Sequence, residues 1–399
     1  MSSTIPRAAV VGGSLGGLTA ALLLRDAGYE VDVYERTPGE LDARGGGIVL
    51  QPETLRWFKE RSERRPDELS TTSRYLRLLG ADNSVVFEEP NVWRFTSWSA
   101  IYRALLGDFG RDRYHLDHSF VGIDQRPDGA TLRFVNGVSV DVDLAIFADG
   151  INSTGRRRLS RDAGFTYSGY VGWRGTVHES QLGSETMGLL GDALGWHYGD
   201  HTHICMYPIP GPDGGIKIGE RLMNYVWYRN VPDLVDLDEM MTDKQGFRGE
   251  VSIHPGKVQD RYVDEMRAAA EVLPPAAREL VRATAEPYIQ PILDFRSEKM
   301  VFGRAVVLGD AAFVARPHAA AGTAKAAADA WSLADSLIAH KGDIDAGLRA
   351  WEPGRLVVGN RLIDRIERMG RAAQVDSNWD PNDRSLRFGL DEGVLQPAY

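Results

Sequence analysis

Cysteine is nearly missing from this chain. Cys205 stands alone among 399 residues, so no intrachain disulfide can form and the composition fits a reducing compartment. Positive charge is also in short supply: 46 Lys and Arg face 56 Asp and Glu, a formal net charge of -10. With no concentrated basic stripe, a nucleic-acid partner is not expected. No apolar run reaches the roughly 18 residues of a membrane span, and the N-terminus lacks a cationic segment leading into a signal-type apolar one. A cytoplasmic protein without a membrane partner is expected, and no internal repeat is found. What is present, 43% hydrophobic and 26% charged residues, is ordinary for a globular protein. The length exceeds one usual core and calls for two domains, or one with a large insertion.

Near the start, Arg7 to Val11 is a short apolar run, Gly12 to Gly17 a tight turn, and Leu18 to Ala27 an alanine- and leucine-rich helical stretch. Tyr29 to Glu35 then alternates, with Val31 and Val33 on one face, as a second parallel strand requires. In this context a pyrophosphate meets unpaired backbone N–H groups and the positive end of a helix dipole. Gly12, Ser14, Leu15 and Gly17 are therefore candidate dinucleotide contacts. Glu35, 23 residues after Gly12, stands where a carboxylate accepts hydrogen bonds from ribose hydroxyls, with Arg36 beside it. Ser14 replaces the middle glycine of the usual G-x-G-x-x-G and narrows the backbone approach. No second glycine fingerprint follows, which counts against a reductase with two dinucleotide sites.

The organisation reads as interleaved. Gly45 to Pro52 is a flexible turn leading into a helix from Pro52 to Lys59, and Trp98 to Phe109 is another helix. Arg113 to Asp124, Ala130 to Phe134 and Val138 to Val142 are strands joined by turns at Pro127-Asp128-Gly129 and Asn136-Gly137. Leu144 to Ala148 and Val301 to Leu308 have the pattern of buried strands, and Gly322 to Ala339 that of a long helix. From Phe165 to Pro291, aromatic alternating runs such as Thr202 to Tyr207 and Asn224 to Val231 point to a mixed sheet. This assigns 1–70, 98–165 and 292–342 to a cofactor-binding domain, and 71–97 with 166–291 to a substrate domain. Residues 343–372 form a C-terminal helical segment, and 373–399 a polar tail, extended or mobile.

Both buried strands end in polar turns, and ligands of such sheets lie beyond the carboxyl ends of the strands. Asp149 to Arg156 has the form D-G-x-x-S-x-x-R. Gly309-Asp310-Ala311-Ala312 is a glycine-aspartate turn whose carboxylate can bond ribityl hydroxyls. Either turn would also serve as a helix cap. Arg316 to Thr323 leads into a helix whose first N–H groups, around Ala321, Gly322 and Thr323, would face an electron-rich ring and stabilise negative charge on it. A cradle near the start and a distant turn for the far end of the same ligand together indicate FAD rather than NAD.

On these segments the chain resembles the FAD-dependent aromatic hydroxylases, single-component flavoprotein monooxygenases with the para-hydroxybenzoate hydroxylase fold. The resemblance covers nearly the whole chain and includes Ala9–Ser14, Leu18–Leu22, Trp93–Ser97, Tyr170–Gly175, Tyr207–Gly211 and Arg316–Gly322. It implies an α/β fold: a Rossmann-like FAD-binding domain with a parallel sheet, interleaved with a mixed-sheet substrate domain. The C-terminal helices would pack near the sheet or against a second copy in a homodimer. It also implies a reaction. NADH or NADPH, bound transiently, reduces FAD; O2 adds to give a flavin C4a-hydroperoxide; the distal oxygen attacks a small hydroxylated aromatic or N-heteroaromatic ring. Oxidative decarboxylation, a Baeyer–Villiger reaction on a larger substrate, or non-catalytic binding of an aromatic ligand would use the same fold and cofactor. Two positions depart from the family pattern. The usual histidine after G-D-A-A is Phe313, and the family's arginine at the start of the helix after the second glycine segment falls at Trp98. Arg103, one turn further along, is either the flavin contact in its place or a plain salt-bridging arginine.

The substrate ring is expected on the sheet face that carries Tyr207. Alternation puts His203, Cys205 and Tyr207 on one side of a strand, with His201 in line. Same-face positions about 7 Å apart converge poorly on a metal, so none is assigned. Packing of a strand end and contact with substrate are both open readings. A neutral His203, or Tyr207, could deprotonate a phenol or hydroxypyridine and raise electron density at the carbon attacked. The resemblance implies that His318, just after Pro317, stands near the flavin as a further catalytic candidate; an exposed loop histidine is the other reading. Trp173 and Arg174 could close over the flavin, grip a substrate carboxylate, or pack a domain join.

Overall fold

The computed structural model of the chain describes residues 5–41, 46–160 and 164–390. Two large sheets organise it. The first has six strands in the spatial order Val301–Phe302, Ala305–Val307, Leu144–Phe147, Arg7–Val11, Glu30–Tyr34 and Tyr114–His115. All neighbours pair parallel except the Val301–Phe302 edge. Parallel strands covered on both faces read as unbroken apolar runs, and Leu144–Phe147 and Ala305–Val307 are buried at every position. Helices Leu15–Asp26 and Gly322–Ala339 pack together, and Ile344–Gln374 packs on the latter.

The second sheet has nine strands, in the order Phe313–Val314, Tyr288–Arg296, Thr166–His178, Leu222–Asn230, Thr202–Ile209, Ala193–Gly199, Thr71–Leu79, Val85–Ser97 and Gly47–Val49. One face carries Trp173, Met206, Tyr225 and Trp227 into a core shared with helices Leu234–Met240, Asp260–Ala269 and Pro275–Ala283. The opposite face carries Tyr170, Cys205, Tyr207 and Tyr228 into a separate cluster. A small hairpin sheet of Phe120–Arg126, Gly129–Phe134 and Ser139–Val142 completes the architecture. Among the described residues no helix is long and apolar enough to cross a membrane.

Several local expectations are corrected. The run from Arg113 to Asp124 is two strands, because Asp117 takes a left-handed backbone (φ 58°) and the chain leaves one sheet for another. Val301 to Leu308 is likewise split at Gly303 (φ 61°). Gly47–Val49 is a paired edge strand against Phe95–Ser97 rather than a flexible turn, while Gly45 lies outside the described residues. The aromatic middle of the chain contains helices that were not anticipated, since its alternating strands dominate the pattern. As far as residue 390 the segment after the last helix folds back in turns onto the second sheet. Trp379 stacks on Tyr198 at 4.4 Å, Phe388 is 8% exposed, and Arg387 pairs with Glu89. Residues 391–399 of the expected tail lie outside the described residues.

The helix Gly322–Ala339 owes its register to a buried ion cluster. Lys325 and Asp329, four apart on one helix face, are 1% and 0% exposed in their side chains and lie 2.6 Å apart. Asp329 also accepts from Arg355 Nε at 2.7 Å and from the Gly309 N–H at 3.0 Å. Burial raises the Asp329 pKa, but the Lys325 and Arg355 cations outweigh it and hold the carboxyl below its ordinary range. Removing one partner of such a cluster strands the others without countercharge. Asp329→Ala is expected to destabilise the protein by about 3–5 kcal/mol, read from urea unfolding; a loss under about 1 kcal/mol would refute the role given to it.

Candidate active site

A cavity of about 410 Å³ opens at the carboxyl ends of the parallel strands. At one end it is lined by Gly12, Ser14 and Leu15. Gly12 has φ 103°, and a Cβ there would lie 2.5 Å from the Ala148 carbonyl oxygen, so only glycine turns the chain this close to the neighbouring strand. Ser14 begins the Leu15–Asp26 helix but makes no side-chain capping bond. Ala321, at the start of Gly322–Ala339, makes none either. Two helix N-termini thus open on one cleft without side-chain caps, a setting that favours anionic or electron-rich groups.

The walls between them are polar. Glu35, 5% exposed, is held against the glycine turn by the Gly13 N–H at 2.9 Å and the Thr37 N–H at 3.1 Å. Arg36 beside it is exposed and lines the same cleft. Asp310 lines the other end with Gly322 and Thr323. Its carboxyl has no hydrogen-bond partner among the described residues, and burial raises its pKa, against the pull of Lys325. An acceptor left open between an uncapped helix and a glycine turn fits the hydroxyl-rich middle of FAD. Asp149 also lines the cleft, but its two oxygens are engaged by Ser153 and by the Gly155 N–H. The capping role considered for this turn is therefore realised. Arg156 of the same motif donates to the carbonyls of Ala311 and Ile151, each at 2.8 Å, and ties the two polar turns together.

A second cavity, about 320 Å³, shares Trp98, Asp310, Gly322 and Thr323 with the first. His203, Cys205 and Tyr207 reach it from one strand face, as alternation requires, and His318 and Pro317 from the loop before the long helix. Burial pushes His203 down to about 3 despite its bond with Gln374. Burial also drives His318 well below the ordinary imidazole range, aided by His203 and the Arg316 cation. Both rings are neutral near pH 7. Tyr207 stacks on Phe95 at 4.6 Å; burial and the Cys205 thiol raise its pKa against the opposing Arg174 cation, so the phenol keeps its proton. Cys205 is pushed up to about 12 by burial and accepts from Trp196 Nε1 at 3.0 Å, which makes it an inert wall.

Arg174 also lines this cavity. Burial lowers its pKa, but Tyr288, Tyr228 and Tyr207 around it outweigh that and keep it charged. Its Nε has no hydrogen-bond partner, and it makes no ion pair among the described residues. Arg316 nearby is different, being paired with Asp294 at 2.6 Å.

Some expected residues lie elsewhere. Gly17 does not line the cleft; a Cβ there would sit 1.8 Å from the Gly12 carbonyl oxygen, so it serves the close packing of helix on turn. Arg103 is exposed and donates to the Pro212 carbonyl at 3.4 Å. Five helical positions after Trp98, it stands about 140° round the helix from the residue that does line both cavities. Trp173 is fully buried in the opposite core, because adjacent strand residues point to opposite faces. His201 lies outside the cavity, with its backbone bonded to Ser377. Phe313 is fully buried and lines neither cavity. Sequence reasoning missed Gln374, Trp379 and Phe388, which reach the second cavity or its histidine from the far end of the chain. No local motif marks them.

A cleft that joins a glycine turn to a second helix N-terminus and ends on a cavity of neutral imidazoles and a phenol is that of an FAD-dependent monooxygenase, with NAD(P)H as reductant. The chain belongs to the FAD-dependent aromatic hydroxylases. It is 37% identical, over 100% of its length and 99% of the relative's, to 2,6-dihydroxypyridine 3-monooxygenase of Paenarthrobacter nicotinovorans. It is 26% identical, over 98% of its length and 94% of the relative's, to 3-amino-4-hydroxybenzoate 2-monooxygenase of Streptomyces cremeus. The solved structure of 2,6-dihydroxypyridine-3-hydroxylase from Arthrobacter nicotinovorans superposes with a TM-score of 0.92 at 36% identity, covering 98% of this chain and 99% of that one. Residues 10–39 match the NAD(P)-binding Rossmann-like domain family and 167–294 the FAD binding domain-like family.

Asp310→Ala is expected to weaken FAD retention about 10- to 100-fold, the worth of hydrogen bonds to a charged acceptor. Equilibrium dialysis against apoprotein measures it, and a variant that stays fully loaded and yellow would remove Asp310 from the cofactor contacts.

Proposed function

We propose that this monooxygenase hydroxylates a small ring of the hydroxypyridine class. The observation that carries the reading is Arg174, a charged guanidinium on the cavity wall with no carboxylate partner among the described residues. Desolvating a cation without countercharge is costly, and the anionic form of a hydroxypyridine supplies that countercharge. The relative named for 2,6-dihydroxypyridine agrees with this chemistry.

FAD, when bound, supplies hydride acceptance from NAD(P)H and activation of O2. The chain's own residues do the rest. Gly12, Ser14 and Leu15 would hold the pyrophosphate with backbone N–H groups, and Glu35 and Arg36 would take the ribose and adenine end. Asp149 and Asp310 would hold the ribityl chain, and the Ala321, Gly322 and Thr323 end of the long helix would favour negative charge on the flavin ring. In the substrate cavity Tyr207 is a hydrogen-bond donor rather than a base, since its proton is retained. His203, neutral, accepts from the ring hydroxyl and draws electron density toward the carbon to be oxidised. His318 stands beside it, their centroids 5.2 Å apart. Cys205, Pro317, Trp379 and Phe388 shape the wall.

The test is the visible spectrum of the purified protein, followed by NADH and NADPH oxidation with a panel of hydroxypyridines and phenols. Flavin absorbance, oxidation stimulated by a hydroxypyridine, and one added oxygen in the product are expected. A flavin-loaded protein that no hydroxypyridine stimulates would overturn the substrate class. Tyr207→Phe should retain FAD while kcat/KM falls about 10-fold for one lost hydrogen bond; unchanged turnover and unchanged coupling of NAD(P)H to product would remove Tyr207 from the mechanism.

A further inference from the structure

His203 and His318 face one cavity, and the protein engages one nitrogen of each ring. Gln374, the last residue of the C-terminal helix and fully buried, brings its Oε1 to 2.9 Å from His203 Nδ1. The orientation of that amide is forced. Its Nε2 donates to the His201 carbonyl and to Asn230 Oδ1, both at 2.8 Å, and a backbone carbonyl can only accept. The Oε1 therefore accepts from His203 Nδ1–H. The ring being neutral, Nε2 is a bare lone pair, and it has no hydrogen-bond partner among the described residues. Tyr198 and Tyr228, on the strands to either side, stack on the ring at 5.4 and 4.2 Å, so it cannot swivel.

His318 is set in the other sense. Arg316, ion-paired with Asp294, donates from Nη1 to the Tyr170 hydroxyl at 3.1 Å. Guanidinium has no acceptor, so the phenol accepts there. Its own proton has one acceptor among the described residues, His318 Nε2 at 2.7 Å, and leaving that buried proton unpaired is costly. Tyr170 therefore donates to Nε2, and the hydrogen of neutral His318 sits on Nδ1, which has no partner among the described residues.

The geometry points to Gln374 and Tyr170 as positioning residues that fix His203 as a hydrogen-bond acceptor and His318 as a donor. The cavity then selects a ring that presents, on one edge, a hydroxyl and a separate oxygen or nitrogen acceptor. A hydroxypyridine or pyridone meets the two histidines with two separate atoms, whereas a simple phenol has to serve both with its one hydroxyl oxygen. The selection of a ring rests on the proposed substrate class, whereas the two tautomers do not.

Two-bond ¹H–¹⁵N spectra of FAD-loaded protein labelled at histidine read tautomers directly, with His203→Asn and His318→Asn assigning the signals. Both rings should show protonated Nδ1 and bare Nε2. Gln374→Leu should give His203 a mixture of tautomers, and Gln374→Glu, which keeps an oxygen acceptor at that place, should restore the Nδ1–H form. Tyr170→Phe should do to His318 what Gln374→Leu does to His203. Gln374→Leu should also narrow, by about 10-fold or more, the kcat/KM preference for a hydroxypyridine over phenol. An Nε2–H or cationic His203 in the unmutated protein overturns the proposal even if the variants fail to fold. So does a folded Gln374→Leu with unchanged tautomer and preference. The expected tautomers in a protein that no hydroxypyridine stimulates would instead sink the substrate class and leave the histidine assignments standing.

Discussion

The carboxylate of Asp329 is the fixed point of this molecule. Fully buried, it gathers Lys325 from its own helix, Arg355 from the next, and the Gly309 N–H from the turn that carries Asp310. Its backbone carbonyl accepts in addition from Trp351 Nε1 at 3.2 Å. One carboxylate therefore sets the distance between the long helix, the C-terminal helix and the end of the last parallel strand. A buried ion cluster is weak evidence for stability in itself, since hydrophobic replacements of the same shape often do as well. Its use here is positional. The polar turn at Gly309 and the uncapped helix start at Gly322 lie side by side at one end of the cofactor cleft, and a sliding helix would pull them apart.

The two cavities have opposite electrostatics, although they share a wall. The cofactor cleft offers backbone donors at both ends and carboxylates between, which suits a ligand anionic at the phosphates and rich in hydroxyls in the middle. Among the described residues the substrate cavity offers a cation without an ion pair, a protonated phenol and two neutral imidazoles. Burial is what separates the roles: the same desolvation keeps Tyr207 protonated and keeps His203 and His318 uncharged. Among the described residues Arg174 makes no ion pair, and the carboxylate of Asp294 is already taken by Arg316.

The cofactor half was legible in the sequence because its ligand is constant and its contacts are local. Gly12, Ser14, Glu35 and Asp310 are each marked by a strand end and a glycine. Gly17 packs helix on turn, while Asp149 both caps a helix and lines the cleft; spacing alone does not distinguish packing and capping from cofactor contact. Arg103 lines neither cavity, because counting turns does not follow the helix face. On the substrate side, period-two alternation correctly brought His203, Cys205 and Tyr207 together, and the same rule sends Trp173 away from Arg174. What alternation could not supply is which strands lie side by side, and so it could not place Tyr198 and Tyr228 against His203.

The end of the chain was the least legible and is where the histidine chemistry is set. Gln374 closes a helix whose apolar spacing reads as packing, and Trp379 and Phe388 sit in a stretch whose polarity and prolines read as a tail. Each acts at a distance of more than a hundred residues along the chain from what it touches, so no window of sequence contains both partners. This follows from how the two halves are built. A cofactor that never changes can be held by motifs within single strand-turn-helix units, whereas a substrate cavity is closed by whatever segment packs over the sheet last. The physical difference between a histidine that accepts and one that donates then rests on an amide whose orientation is dictated by a backbone carbonyl, a constraint that exists only once the fold has formed.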